Sequence, residues 1–301
     1  MLNEAGLQKR AQLIQAIRRF FVYRGYLEVD TPLRLPVLIP EAHNEPVKSG
    51  DHFLQTSPEI CMKRLLAESG CRKIFQVCKC FRHQERGDRH IPEFTMLEWY
   101  RTGCDYLSLM TECEDFFLEV ARSLGHGSSI YARGNKINLE KPWERLSVAD
   151  AFAKYAPVAM VQALEQNTFD EMLCRYIEPQ LGLQKPVFLY DYPVELGALA
   201  RKKAGDSSLA ERFEIYLAGL ELANGFSELT DQAEQLQRFE SELQLLKKQG
   251  RTVPELPRKF LLSLARMPAA AGIALGVDRL AMILLDTETI DQAVSFLPED
   301  L

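Results

Sequence analysis

The segment Phe81-Arg82-His83-Gln84-Glu85-Arg86-Gly87-Asp88-Arg89-His90-Ile91-Pro92-Glu93-Phe94 decides how this chain is read. An apolar run, Ile74-Phe75-Gln76-Val77, leads into it, and a second run continues from Glu93 through Phe94 to Tyr100. Two strand-like runs around a charged loop predict consecutive strands rather than a strand–helix–strand unit. The loop has two readings. Charge belongs on a solvated hairpin, and it also suits a loop that closes over an anionic substrate. In the second reading Arg82, at the end of an apolar strand, offers its guanidinium fork to a phosphate. Arg89 and His90 then return from the other side, and Phe94 presents a flat face to a purine.

Outward from this segment, residues 7–24 form an amphipathic helix with Leu7, Ile14, Ile17 and Phe21 on one side, ended by Gly25. Residues 26–30 alternate like a strand, and Pro32, Pro36 and Pro40 break the next stretch into irregular extended chain. Pro58 starts a helix that turns Ile60, Leu65 and Leu66 inward. Residues 107–124 read as a helix, 125–146 as turns with a short strand at 136–139, and 147–177 as helices. Strands come next at 187–190, closed by Asp191 and Pro193, and at 213–217 and 220–223 around Gly219. Asp231 with Glu234 suits a capping box for a helix over 231–248, ended by Gly250. A glycine-punctuated strand at 271–277 delivers Asp278 to the start of a last helix. Strands in succession with helices inserted predict an α+β fold, a mainly antiparallel sheet flanked by helices, as a single domain over 1–301. No P-loop and no strand-linked Gly-x-Gly-x-x-Gly is present, so a nucleotide must be held by other means.

With 47% hydrophobic and 26% charged residues, the composition excludes low-complexity disorder and collagen. The net charge of −6 argues against a broadly basic nucleic-acid surface. No apolar run crosses a bilayer and the first ten residues are mixed polar, so a cytoplasmic protein is expected. Seven cysteines, an odd number in a chain that needs no staples, are read as reduced thiols. Cys78, Cys80, His83 and His90 invite a zinc reading, but their spacing is not that of a Cys-x-x-Cys ribbon.

Glu214, Glu221 and Glu228 recur every seven residues. That is two helical turns, yet Gly219, Asn224 and Gly225 disfavour a continuous helix. On strands, Glu214 and Glu221 would face one cleft, where two carboxylates beside phosphates require a cation, and Mg2+ suits such oxygen ligands. Asn224 and Glu228 would then face a second substrate. Glu59, after Ser57-Pro58, and Glu98, before Trp99-Tyr100, read singly as solvated acids. Grouped with Glu228 they make a negative pocket for an amine. Gly272-Ile273-Ala274-Leu275-Gly276-Val277-Asp278-Arg279 reads as a close-packed strand that places Arg279 at a helix start, which favours anions.

In this order the residues resemble the three signature motifs of class II aminoacyl-tRNA synthetases, lysine branch. Residues 25–32 resemble motif one, used in dimerisation; residues 81–100 resemble motif two and 272–279 motif three. Residues 221–229 resemble the lysyl enzymes' amino-acid pocket. The resemblance implies that Arg82 holds the α-phosphate of ATP and the acyl carboxylate, and that Phe94 stacks on adenine. It implies that Arg279 holds the γ-phosphate and that Glu214 and Glu221 bind Mg2+. Gln84, Glu85, Arg89 and His90 complete the ATP site. Ser57, Glu59, Glu98, Tyr100, Asn224, Phe226, Glu228 and Ala274 line a diamino-acid pocket. The motif-one helix begins almost at residue 7, without room for an anticodon-binding OB domain. The chain therefore resembles the truncated branch, the elongation factor P (R)-β-lysine ligases. That resemblance implies a homodimer that makes a β-lysyl adenylate and passes it to a lysine of elongation factor P, with tRNA binding not expected. A lysyl-adenylate-forming enzyme acting on tRNA or a small acceptor is the alternative, and a non-catalytic scaffold would not need both arginines and both metal acids.

Three positions refine the resemblance. Ala274 stands where lysyl-tRNA synthetases have Gly and the ligases Ala, a methyl worth about 1–3 kcal/mol of selectivity between α- and β-lysine. Gln84 takes the place of the usual Glu after Arg-Asn, with Glu85 next to it, and Ile91 replaces an Asn. Neither change removes a phosphate or metal group.

Overall fold

The computed structural model describes residues 2–42 and 44–301. Its centre is a sheet of nine strands: β1 (Leu27–Glu28), β2 (Lys73–Phe81), β3 (Glu93–Thr102), β4 (Glu144–Ser147), β5 (Val187–Pro193), β6 (Lys202–Lys203), β7 (Asp206–Leu217), β8 (Leu220–Ser227) and β9 (Ala270–Gly276). The spatial order is β1-β2-β3-β9-β8-β7-β5-β4, with β6 against β7. Only the outer pairs β1–β2 and β4–β5 are parallel. The expected α+β, mainly antiparallel architecture is therefore what forms.

Alternation along the strands gives the sheet two unlike faces. Phe75, Leu97, Trp99, Ile273, Leu275, Phe213 and Ile215 pack on one side in a core with residues of α1 (Glu4–Tyr23), α3 (Tyr106–Ser123) and a last helix, Val277–Leu285. Phe21 of α1 stacks on Phe75 with centroids 4.8 Å apart. The other face is polar. There Tyr100, Gly272, Phe226 and Arg212 stand opposite one another across four strands, and Glu98, Ala274, Asn224 and Glu214 form the next row. A further helix, α2 (Glu59–Ser69), closes one end of that face and is joined in a second apolar cluster by Phe239 and Phe260.

Several strands differ from the sequence expectation in their bounds. The alternating stretch 26–30 pairs only at Leu27 and Glu28. The strand expected to close at Asp191 runs on to Pro193, because Asp191 takes a left-handed backbone (φ 59) and the ladder skips it. The pair around Gly219 is longer than its apolar core suggests, with polar residues extending both arms. The short strand at 136–139 forms as Asn135–Asn138 in a ribbon with Ser129–Ala132. The Asp231 cap is present, its side chain accepting from the Glu234 amide at 2.9 Å.

Candidate active site

The polar face floors a cleft of about 500 Å³. Its open end is built where β2, β3 and the last helix meet. Arg82, Glu85, Arg89, His90, Phe94 and Arg279 all line it. Arg82 lies 3.7 Å from Glu85, and its guanidinium carbon lies 5.1 Å from the Phe94 ring centroid. Arg279 donates to the Glu221 carbonyl at 2.9 Å and to His90 Nε2 at 2.5 Å. Burial, then the neighbouring Arg279, hold the His90 pKa below its usual range, consistent with a neutral ring that accepts. Gln84 is exposed and is not among the lining residues; its left-handed backbone (φ 58) places it at the bend of the loop, and Glu85 lines the cleft instead.

Asp278 and Arg10 fix this end from behind. The Asp278 carboxylate accepts from the Thr95 amide at 2.6 Å and from Arg10 at 2.5 Å, and Arg10 also reaches Thr95 Oγ1. Asp278 lies next to Arg279 and Thr95 next to Phe94, so one buried carboxylate registers both cleft residues. The sequence presents Asp278 only as a helix opener; its contact with Thr95, spanning 183 positions, leaves no local signal.

Glu214 and Glu221 share the cleft face through a bulge. Ile215 pairs with Ala223 and Tyr216 with Glu221, so Leu222 is extra. An unbroken ladder would put Glu221 and Asn224 on opposite faces; the extra residue restores Glu221 to the side of Asn224. Glu214 is held by Arg212 at 2.6 Å, Tyr192 Oη at 2.5 Å and Tyr216 Oη at 2.7 Å. Burial raises its carboxyl pKa, and Glu221 raises it further. Glu178, raised by burial and by both of these acids, is a neighbouring carboxylate that no motif in the sequence marks.

The closed end gathers the remaining predicted residues. Ser57, Glu59, Glu98, Tyr100, Asn224, Phe226 and Ala274 line it, and Glu228 is buried behind Gly272 at 1% exposure. Gly272 is required by closeness: a Cβ there would sit 2.2 Å from the Tyr100 ring and 2.6 Å from Glu228 Oε1. Tyr100 donates to Glu98 at 3.1 Å. Burial, with Glu59 nearby, pushes the Glu98 carboxyl well above its usual range. Burial likewise raises Glu228, to about 8. Among the described residues, Glu228 Oε1 has no hydrogen-bond partner. Lys63, four residues after Glu59 on a helix the sequence predicts, lies between Glu59 and Glu228 and was not assigned from sequence.

A cleft with guanidinium groups at one end and buried carboxylates at the other, on an antiparallel sheet entered by these motifs, defines a class II synthetase-like ligase. The chain matches the tRNA synthetases class II (D, K and N) over residues 3–300 and belongs to that family. It is 38% identical over 308 aligned positions to the elongation factor P–(R)-β-lysine ligase of Salmonella gallinarum, covering 96% of this chain and 94% of that protein. The corresponding ligases of Salmonella heidelberg and Salmonella agona match at the same identity and coverage. No helix among the described residues is long and apolar enough to cross a membrane.

Proposed function

We propose that this chain activates (R)-β-lysine with ATP as an aminoacyl adenylate and transfers it to a lysine ε-amine of elongation factor P. The observation that carries the reading is Glu228 Oε1, a buried carboxylate oxygen without a donor at the closed end of a cleft whose open end carries Arg82 and Arg279. A buried acceptor with no donor is costly in the empty pocket, and an ammonium supplies what it lacks. An amino acid with its side-chain amine there directs its carboxylate toward the arginines.

In the first step a substrate carboxylate oxygen attacks the α-phosphorus of ATP and pyrophosphate leaves. Arg82 neutralises charge on the phosphate and carboxylate oxygens, Phe94 stacks on adenine, and Arg279 exchanges its contacts with Glu221 and His90 for the γ-phosphate. Glu85, Arg89 and His90 frame the nucleotide. In the second step the acceptor ε-amine attacks the carbonyl carbon, AMP leaves and an amide forms. The amine's proton goes to water or phosphate, and no protein nucleophile is needed.

Mg2+ fits this donor set. Glu214 and Glu221 face the cleft, and no group of three acids, His or Cys forms a metal cluster among the described residues, so phosphate and water oxygens would fill the shell. Glu221 is the more available of the two, since Glu214 is already held by three donors. Bound there, the ion would supply positive charge against the phosphate oxygens. The end of α1 exposes Tyr23 at 83% and Val22 at 60%, and the adjoining motif-one segment exposes Leu27 at 54%, apolar area that a homodimer would cover.

The test is ATP–pyrophosphate exchange with Mg2+, comparing (R)-β-lysine with L-α-lysine, and then transfer to elongation factor P and to tRNA. We expect β-lysine-dependent exchange and labelled elongation factor P. Exchange with α-lysine alone, with charging of tRNA, would favour the lysyl-tRNA synthetase-like alternative.

A further inference from the structure

The closed end contains its own cation. Lys63 projects from α2 one turn after Glu59, and its Nζ pairs with Glu59 Oε1 and, at 2.5 Å, with Glu228 Oε2. Its side chain is 2% exposed and its ammonium lies 4.9 Å from the Phe226 ring centroid. Burial opposes that charge, but Glu228 and Glu59 outweigh it and hold the ammonium pKa above the ordinary lysine range. A buried lysine loses its hydration and its rotamer freedom, and a methionine of similar volume would fill the same space without that penalty. The pairing has a geometric consequence. Neither Glu228 oxygen has a hydrogen-bond partner among the described residues, but Oε2 has the Lys63 ion pair, so Oε1, toward Gly272 and beside the Tyr100 ring, is the one left without a cation.

Resting on the diamino-acid reading of the cleft, we propose that Lys63 is a built-in counter-ion that positions Glu228 and limits the closed end to one substrate ammonium. Glu59 and Glu228 together have room for two cations. Lys63 permanently fills one place, and the substrate's side-chain amine takes the other. Lys63 does not touch the reacting atoms; it acts through Glu228.

The groups facing Glu228 are Lys63 and Glu59 from α2 and Tyr100 from β3, with Glu98 on the far side of Tyr100's hydroxyl. Of these, Lys63 is the cation that favours the ionised carboxylate. Without it, burial and Glu59 act unopposed and the carboxyl rises further, so a still smaller ionised fraction of Glu228 meets the substrate at neutral pH.

The experiment uses the full chain in ATP–pyrophosphate exchange with Lys63→Met and Lys63→Ala. We expect the KM for the diamino acid at neutral pH to rise on the order of 100-fold in both variants, with kcat within a few-fold and the KM for ATP unchanged. The KM deficit should shrink as pH rises. Propylammonium replaces the atoms Lys63→Ala removes, so it should lower that variant's KM saturably, while 1-propanol should not; in the wild type it should only compete. Unchanged KM and pH profile in both variants overturns the inference. Loss of ATP affinity in both variants also overturns it, because Lys63 is then a structural ion pair. Absence of exchange by the wild type with any diamino acid is a different failure, that of the diamino-acid reading itself.

Discussion

The two ends of the cleft are built on opposite principles. At the end proposed to take the phosphates, the groups sit on strand termini and a loop, partly exposed, and rest on one another: Arg279 on Glu221 and His90, Arg82 near Glu85. At the end proposed to take the amine they come from β3, β8, β9 and α2 and, for Glu228, from the residue just after β8, and are buried, with Glu59, Glu98 and Glu228 all under one-tenth exposed. A phosphate brings its own strong charge, so its receptors can be parked in weak contacts and released. An ammonium competes with water for its partners, so its receptors must be dry and fixed before it arrives. Damage at the first end should therefore appear in the chemistry and leave the fold alone, whereas damage at the second should appear in binding and in stability together.

The sharpest way to break that contrast is Arg82→Ala. It should lower the exchange rate about 10³-fold, or about 4 kcal/mol of transition-state stabilisation. The half-exposed pair with Glu85 contributes little to folding, so the melting temperature should stay within about 2 °C. A large stability loss would show that the phosphate end is not the loosely held one. Next comes Gly272→Ala. The added methyl meets the Tyr100 ring and Glu228, both immobile, so the diamino-acid KM should rise about 100-fold and stability should fall by about 1–3 kcal/mol. ATP affinity should be unaffected. Calorimetric unfolding and nucleotide titration separate the two readouts.

The contrast also explains what the sequence revealed. Strand alternation and charged loops expose the phosphate end directly: Arg82, Phe94 and Arg279 stand beside their structural punctuation. At the amine end, Glu98 and Tyr100 share a face by simple parity; toward the other end, Glu221 joins the face of Asn224 only through the bulge at Leu222, which no residue announces. Lys63 was visible as the i+4 neighbour of Glu59, yet on an amphipathic helix nothing local says that this polar pair faces inward. Arg10, 268 residues from Asp278, belongs to neither end in sequence. Long-range pairing and burial are set by the assembled sheet, and they are what the linear pattern omits.

A pH series sharpens the comparison at smaller scale. Glu228, raised to about 8 by burial, must be ionised to pair with an ammonium. Below that value the carboxyl is protonated and neutral. The diamino-acid KM should thus fall up to tenfold per unit as pH rises toward 8 and level off above it. The KM for ATP should not track the same curve. Glu228→Gln should erase the step, leaving a high and pH-independent KM, and persistence of the step in that variant would move its origin elsewhere.

The finest probe is Ala274→Gly. Ala274 stands opposite Glu98 on one side and Asn224 on the other, so its methyl projects from the cleft floor between two residues of the amine-end wall. It is partly exposed and touches no charge, so its removal should scarcely alter phosphate chemistry. Moving an amino group from the β- to the α-carbon shifts a charged, hydrated group by about one bond length, and a methyl decides whether the shifted group has room. Removing it should improve kcat/KM for L-α-lysine relative to (R)-β-lysine by roughly 5- to 10-fold, about 1 kcal/mol at the low end of what one methyl contributes in a pocket. The ratio of the two amino acids in exchange assays, at saturating ATP, measures this without reference to the acceptor. An unchanged ratio would assign the methyl to packing of the floor alone, and selectivity would then reside in the walls that Asn224 and Glu98 form. A changed ratio with unchanged ATP kinetics would show that even the mildest alteration at the fixed end is read by the substrate, as pre-organisation there requires.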